Sequence, residues 1–381
     1  RAAGGYALED LDITIGSARL AGAVDLDAEN RAEGRISLAA QELDDLSALA
    51  LTELSGALEA TIDLAIRDGG QDARVTAQGS RLGFGEVSLS AFEADMQGRD
   101  LLRAPAFEGQ VSAERLAVAG QEFTRVALNA EGVADRTRFS AEARAQGFDL
   151  AARGEVAPRD DDILLTLDSF SATRGQRSIS LAQPARITLQ DAMARIDTLV
   201  IAANGGRITI SGDAGERLDL SIDVAALPLS VAEIFAPGIG LTGTAEGSAR
   251  LTGPADAPEG NYRINLANVS LPQLREAGVP SLEIRASGTL ANGRAGVDAT
   301  IEAAATSLRL TGSVPLDPVG ELDLRADGSV DLGAANLVLA PQGRRLTGSA
   351  DVSATIRGMT ATPRIDGSAT ISGARFTDEA L

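Results

Sequence analysis

Apolar and polar residues alternate one by one along most of this chain, the period of two that writes strands with one dry and one wet side. The clearest stretch, LTGTAEGSARLTG at 241–253, sets Leu241, Gly243, Ala245, Gly247, Ala249, Leu251 and Gly253 against Thr242, Thr244, Glu246, Ser248, Arg250 and Thr252. The phrase returns at 346–358 as LTGSADVSATIRG, with Val352 and Ile356 on its dry side. A looser copy opens at Leu54, where Leu58, Ala60, Ile62, Leu64 and Ile66 oppose Glu59, Thr61, Asp63 and Arg67. A short run of helical character precedes each copy: 43–51, with Asp44 and Asp45 placed as caps, then 229–235 and 332–339. These runs start three sub-repeats, near 43, 228 and 332, in a chain that otherwise reads as one continuous unit over 1–381.

Between the copies the pattern is strand, turn, strand. Asp68-Gly69, Asn204-Gly205 and Asn292-Gly293 are dipeptides suited to tight hairpins, whereas Asp327-Gly328 falls inside an alternating run. The acidic run Asp160-Asp161-Asp162 reads as an exposed hairpin tip, because a calcium loop needs spaced ligands and a terminal Glu. Six further strands fill 163–224, and Leu218, Leu220, Ile222 and Val224 share a face in the last of them. In all, roughly 28 to 32 strands are expected against about three helices of two turns each.

Composition changes what the dry face can be. The chain has 381 residues, of which 44% are hydrophobic but only 3% aromatic, with nine Phe, two Tyr and no Trp. Sealed cores lean on large aromatic and aliphatic side chains, and this face is built of medium aliphatics, Ala and Gly. Short helices cannot cover so many strands. A lipid-facing barrel would carry aromatic girdles, and stacked sandwiches would close about every 100 residues, yet no such joint is visible. The expected fold is therefore all-β: an elongated, mostly antiparallel sheet curled into an open hydrophobic groove. Left in water such a groove costs about 25 cal/mol per Å2, so it calls for an apolar occupant such as acyl chains.

Charge and chemistry narrow the function. The net charge is −20 with the acids dispersed, which argues against nucleic acid, whose phosphates need clustered cations. Cys and His are both absent, so thiolate chemistry is excluded and the commonest metal ligand and general base is missing; no cofactor is expected. An enzyme would have to pair carboxylates such as Asp95, Glu142 or Asp223, and alternation sends most acids to the wet side. No run of about 18 apolar residues exists to cross a membrane as a helix. The opening RAAGGYALEDL, with neither an initiator Met nor a secretory signal, reads as an interior piece of something longer.

LTGTAEGSARLTGPADAPEGNYRINLANVSLP, its echo APQGRRLTGSADVSATIRGMTATPRIDGSATISGARF, and LAQPARITLQDAMARIDTLVIAANGGRITISGDAGERLDLSIDV before LPLSVAEIFAPGIG resemble the TamB family, AsmA-like translocation and assembly module proteins. The resemblance is firmest from about Ile163 onward. It implies a periplasmic protein anchored in the inner membrane, built as a long sheet with a hydrophobic groove. It also implies carriage of phospholipid toward the outer membrane and a barrel partner, TamA, met through segments outside this stretch. On that basis Leu58, Ile62, Leu64, Leu220, Ile222, Val224, Leu251, Val352 and Ile356 are expected to line a lipid groove. The alternatives are a scaffold that offers strand edges to unfolded barrel proteins and an adhesin of stacked sandwiches.

Overall fold

A computed structural model describes residues 5–118, 120–133, 135–159, 161–175, 177–234, 238–276, 279–317 and 319–378. Over these the chain forms 25 strands and a few short helical turns, and it divides into two units, Arg1–Gln190 and Asp191–Leu381. Fewer strands are present than the roughly 28 to 32 expected from pattern, because strands such as Leu54–Arg67, Gly70–Phe84 and Arg344–Met359 run on through places where the alternation slips phase.

The first unit is an antiparallel meander from Tyr6–Ile15 to Ala185–Gln190. At two places a long strand is faced by two short ones. Val87–Ser90 and Phe92–Arg99 together line Gly70–Phe84, broken at Ala91, where φ is 46°. Arg177–Leu181 and Ala185–Gln190 share Asp162–Arg174, broken before Pro184, which has no N–H to give a ladder. The second unit is an unbroken meander from Met193–Ala203 to Arg364–Asp378. Asp68-Gly69, Asn204-Gly205 and Asn292-Gly293 turn with both residues at positive φ, the hairpin geometry that matches strand twist, while Asp327-Gly328 lies inside Glu321–Asp331. At the acidic tip Arg159 pairs with Asp162 across the turn at Asp161; Asp160 lies outside the described residues.

The three expected helical runs are present, as 3-10 and α turns at 43–50, Leu229–Ile234 and 332–342. Phe235, the last residue of the second expected run, lies outside the described residues. A fourth, Pro272–Glu276, was not expected, although Leu271-Pro272 puts proline where a first helical residue tolerates it. Asp44 and Asp45 are not caps: Glu42 holds that position without a side-chain bond, and both aspartates sit in the first turn.

Why the phrase Leu-Ser/Thr-Gly recurs is visible in the backbone. Gly56, Gly243 and Gly348 have φ of 90°, 124° and 121°, and the ladder shifts register at each, between Ser55 and Ala57, Thr242 and Thr244, Thr347 and Ser349. The facing strand answers with its own left-handed residue, Arg81, Asn268 or Gly373. These are β-bulges, which bend a strand and let it restart in phase. A Cβ on Gly56 would lie 2.2 Å from the Arg81 carbonyl oxygen, and one on Gly243 2.7 Å from that of Ala267. Two of the copies share a further device. The Ser47 hydroxyl bonds both the N–H and the C=O of Leu54, at 3.0 and 3.3 Å, and the Asn336 amide does the same for Leu346.

Gly243→Val is expected to destabilise the second unit by about 2 kcal/mol through left-handed strain and clash, whereas Thr244→Val, on the wet side, is expected to be near neutral; urea unfolding measures both. Asn336→Ala orphans two part-buried backbone groups and is expected to cost about 1–2 kcal/mol, with faster amide exchange at Leu346.

Candidate functional site

In an antiparallel ladder, residues paired across strands face the same side. Following the register therefore traces rungs that cross each unit. In the second unit one rung runs Ile201, Ile208, Val224, Gly247, Ile264, Ala286, Ala299, Leu310, Ala326, Ala354, Gly367, through eleven strands without a polar side chain. Toward one rim Leu220 and Leu251 are direct partners, continued by Gly260, Leu290, Ala295 and Val314. Between these rungs lie Leu199, Ile210, Ile222, Ala249 and Tyr262, and further on Leu324, Ile356 and Ile365. On the other side Leu227, Ala245, Leu266, Ile284, Ile301, Leu308, Gly328, Val352 and Ala369 complete the face.

The first unit repeats the arrangement. Ile13, Leu20, Leu38, Ala60, Ala77, Ala94, Val111, Leu128, Ala141, Ala152 and Phe170 form one rung. Ile62 stands in the next with Ile36 and Val75, Leu64 in the one beyond with Gly34 and Ala73, and Leu58 on the opposite side with Ala40 and Gly79. All nine residues expected to line a groove thus lie on the dry face of their unit, each half-buried.

That face is not a sealed core. Among the described residues no large side chain is fully buried, and most of the buried apolar ones are alanines. The main exception is where helix 43–50 folds onto the first unit. There Leu43 joins Ala18 and Ala40, with Leu46, Leu54, Leu58 and Leu82 packed around them, so that Leu58 is partly roofed while Ile62 and Leu64 are not part of the cluster. Ser17 ties the helix down: its N–H donates to Asp45 at 2.6 Å and its hydroxyl exchanges bonds with the Glu42 backbone.

Glycines level the dry face. Val224 and Ile264 flank Gly247, Leu220 faces Gly212, Leu251 faces Gly260, Leu64 faces Gly34 and Val352 faces Gly328. Tyr262 reaches across strand Leu282–Ala291 to donate its hydroxyl to the Gly296 carbonyl at 2.9 Å, which disposes of the only polar side-chain atom on the second unit's four rungs; burial pushes its pKa up. A Cβ on Gly288 beneath it would come within 2.9 Å of the ring.

The wet face carries crossing ion pairs: Arg19 with Asp12, Arg35 with Asp63, Arg74 with Asp95, and Arg309 with Asp298. The bond from Arg19 holds the Asp12 carboxyl below the usual carboxylate range. Exposed pairs of this kind are largely screened by water, so they favour one register more than they add stability. A hollow of about 620 Å3 in the first unit is lined by Ser37, Glu59, Thr61, Thr76, Glu93 and Asp95 of this side and also by Leu38, Ala60, Ala77 and Ala94. Of the carboxylates considered for catalysis, Asp95 is paired with Arg74, Glu142 stands three strands away from it, and Asp223 lies on the wet side of Arg217–Pro228.

A family model described as TamB, N-terminal domain, matches residues 2–371. The chain belongs to the TamB family. No curated protein matches it, and no solved structure does. The TamB match takes in residues 2–162 as well, where the recurring phrase is faintest, and it associates the chain with the translocation and assembly module system. Among the described residues of this TamB chain no helix is long and apolar enough to cross a membrane. Sequence pattern picked out single dry-face residues; the glycine partners, the Tyr262 bridge and the Leu43 roof escaped it, because each depends on which strand lies alongside.

The Asp45 carboxyl is held below its ordinary range, chiefly by the Ser17 backbone N–H. A depressed folded-state pKa contributes stability that is complete above the unfolded value and lost as pH falls through the folded one. The seating of helix 43–50 is therefore expected to be constant above about pH 4 and to loosen below it. Amide exchange at Ser17 reports this, and Asp45→Asn is expected to remove the pH dependence.

Proposed function

We propose that this TamB chain is a segment of a periplasmic lipid conduit between the inner and outer membranes, its dry face carrying phospholipid acyl chains. Support comes from one observation above all, the uninterrupted and unsealed apolar face. In the second unit the four rungs span about 20 Å along the strands, and the longest of them runs about 48 Å across eleven strands. The product, roughly 1,000 Å2, exceeds the ~300–600 Å2 of the largest patch on an ordinary soluble monomer. A broad, shallow, featureless floor of aliphatics and glycine suits fluid hydrocarbon, which needs no directional contacts. A barrel partner of the TamA type and an inner-membrane anchor belong to the same reading, and neither is assigned to any residue of this chain.

Ile222→Asp puts a carboxylate in the middle of the dry face. Transfer of phospholipid between vesicles, or growth of cells that depend on the protein, is expected to fail while circular dichroism stays native; Ser221→Asp, one residue along and on the wet side, is expected to transfer normally. Normal transfer by folded Ile222→Asp defeats the conduit. A photo-crosslinker at Val224 or Val352 separates conduit from scaffold, since lipid adducts belong to the first and client-protein adducts to the second.

A further inference from the structure

Two strands are laddered on one side only. Among the described residues Tyr6–Ile15 pairs with Ala18–Leu26 and Arg364–Asp378 with Arg344–Met359, and each leaves its other edge to solvent. Free edges are ordinarily kept short, charged on the dry side or interrupted by proline, because their unpaired N–H and C=O groups recruit other strands. These two are ten and fifteen residues long, contain no proline and hold large apolar side chains in the open: Tyr6 is 76% exposed, Ile365 69% and Ile371 61%. Each strand also carries one bulge. In the first, Glu9 and Asp10 stand between the pairs Leu8–Val24 and Leu11–Gly22, with Asp10 at φ 55°; in the second, Gly373 and Ala374 stand between Ser372–Ser349 and Arg375–Thr347, with Gly373 at φ 61°.

We propose that these edges fit each other, so that Tyr6–Ile15 of one copy of the chain adds as an antiparallel strand to Arg364–Asp378 of a second copy. One register satisfies both strands. Tyr6 then lies opposite Phe376, Leu8 opposite Ala374, Leu11 opposite Ile371, Ile13 opposite Ala369 and Ile15 opposite Gly367, so dry residues meet dry residues at every one of these places. The extra residues of the two bulges cancel, and Asp10 and Gly373 stand one place from directly opposite. The first unit already contains that meeting: left-handed Arg81 and Ala91 stand one place from opposite, and the pairs on either side of them, Gly79–Phe92 and Leu82–Leu89, keep a single register. A shift of two residues would still set dry against dry but would throw the bulges out of step. Charge agrees, since Arg375 and Glu9, neither of them in an ion pair among the described residues, become diagonal neighbours on the ladder. The rung of Ile13 would run on through Ala369 into Val352 of the next copy. Because the two surfaces differ, the contact is heterologous, and a pair of copies still presents one free edge of each kind.

Disulfide trapping tests the pairing cleanly, because the chain has no cysteine of its own. Residues directly opposite in an antiparallel ladder have Cα atoms about 4.5–5.5 Å apart, within disulfide reach, and the register sets Thr14 opposite Ser368, both exposed on the wet side. Whole chains carrying Thr14→Cys and Ser368→Cys, each with native circular dichroism, are mixed and oxidised with copper phenanthroline. A covalent heterodimer is expected from the mixture, and little homodimer from either variant alone. Ala369→Cys, one residue along and on the dry side, is expected to give little heterodimer with Thr14→Cys, and adding Ile371→Asp to Ser368→Cys is expected to abolish the trapped product. Equal trapping by Ala369→Cys, or homodimers in the yield of the mixture, overturns the register and the head-to-tail contact. No heterodimer at all leaves both edges to strands of other sequence and overturns the proposal, without touching the conduit.

Discussion

Register in an antiparallel ladder has a period of two, and everything else in this protein depends on it. Residues that share a backbone pairing share a face, so a slip of one residue would move every Leu, Ile and Val of a strand into water and every Arg and Asp onto the dry side. Ion pairs on the wet face act as a second lock on the same register: a slipped strand would separate Arg74 from Asp95 and Arg309 from Asp298. Neither interaction is strong singly. Repeated over eleven strands they leave one consistent arrangement, in which one rung of the second unit stays apolar from its first strand to its last.

A strict alternation would be brittle, because any inserted residue would invert the strand beyond it. The bulges at Gly56, Gly243 and Gly348 absorb such slips. Each follows a short helix whose side chains, Ser47 and Asn336 in two cases, hold the leading leucine by both backbone groups. Helix, anchored leucine and bulge form a unit that turns the chain, bends the strand and restores its phase. Glycine serves a second purpose on the dry face itself, where it lies beside the larger aliphatics. The resulting floor has bulk but little relief, which suits a ligand recognised by apolar area alone.

Much of this was legible in the chain. Period-two text, the scarcity of aromatics and the absence of helix-length apolar runs pointed to an unsealed all-β sheet, and Leu220, Ile222, Val224 and Leu251 could be placed on the dry side from their spacing alone. Hairpins at Asn204-Gly205 and Asn292-Gly293 were equally clear, since their chemistry is local. Strand number was overestimated because a bulge and a chain break look alike in the pattern. Asp44 and Asp45 passed for caps because they stand only two and three residues beyond the N-cap, Glu42, a difference that only φ and ψ reveal.

By itself the sequence determined which side of each strand is dry, where the tight turns fall and that the apolar face would be lightly built, because all three are written in nearest neighbours along the chain. Tertiary structure alone decided that Leu220 meets Leu251, that Leu43 roofs Leu58 while Ile62 and Leu64 stay outside that cluster, and that Tyr262 bridges to Gly296. Those relations join residues distant in sequence, and they exist only once hydrogen bonding has chosen which strands lie side by side.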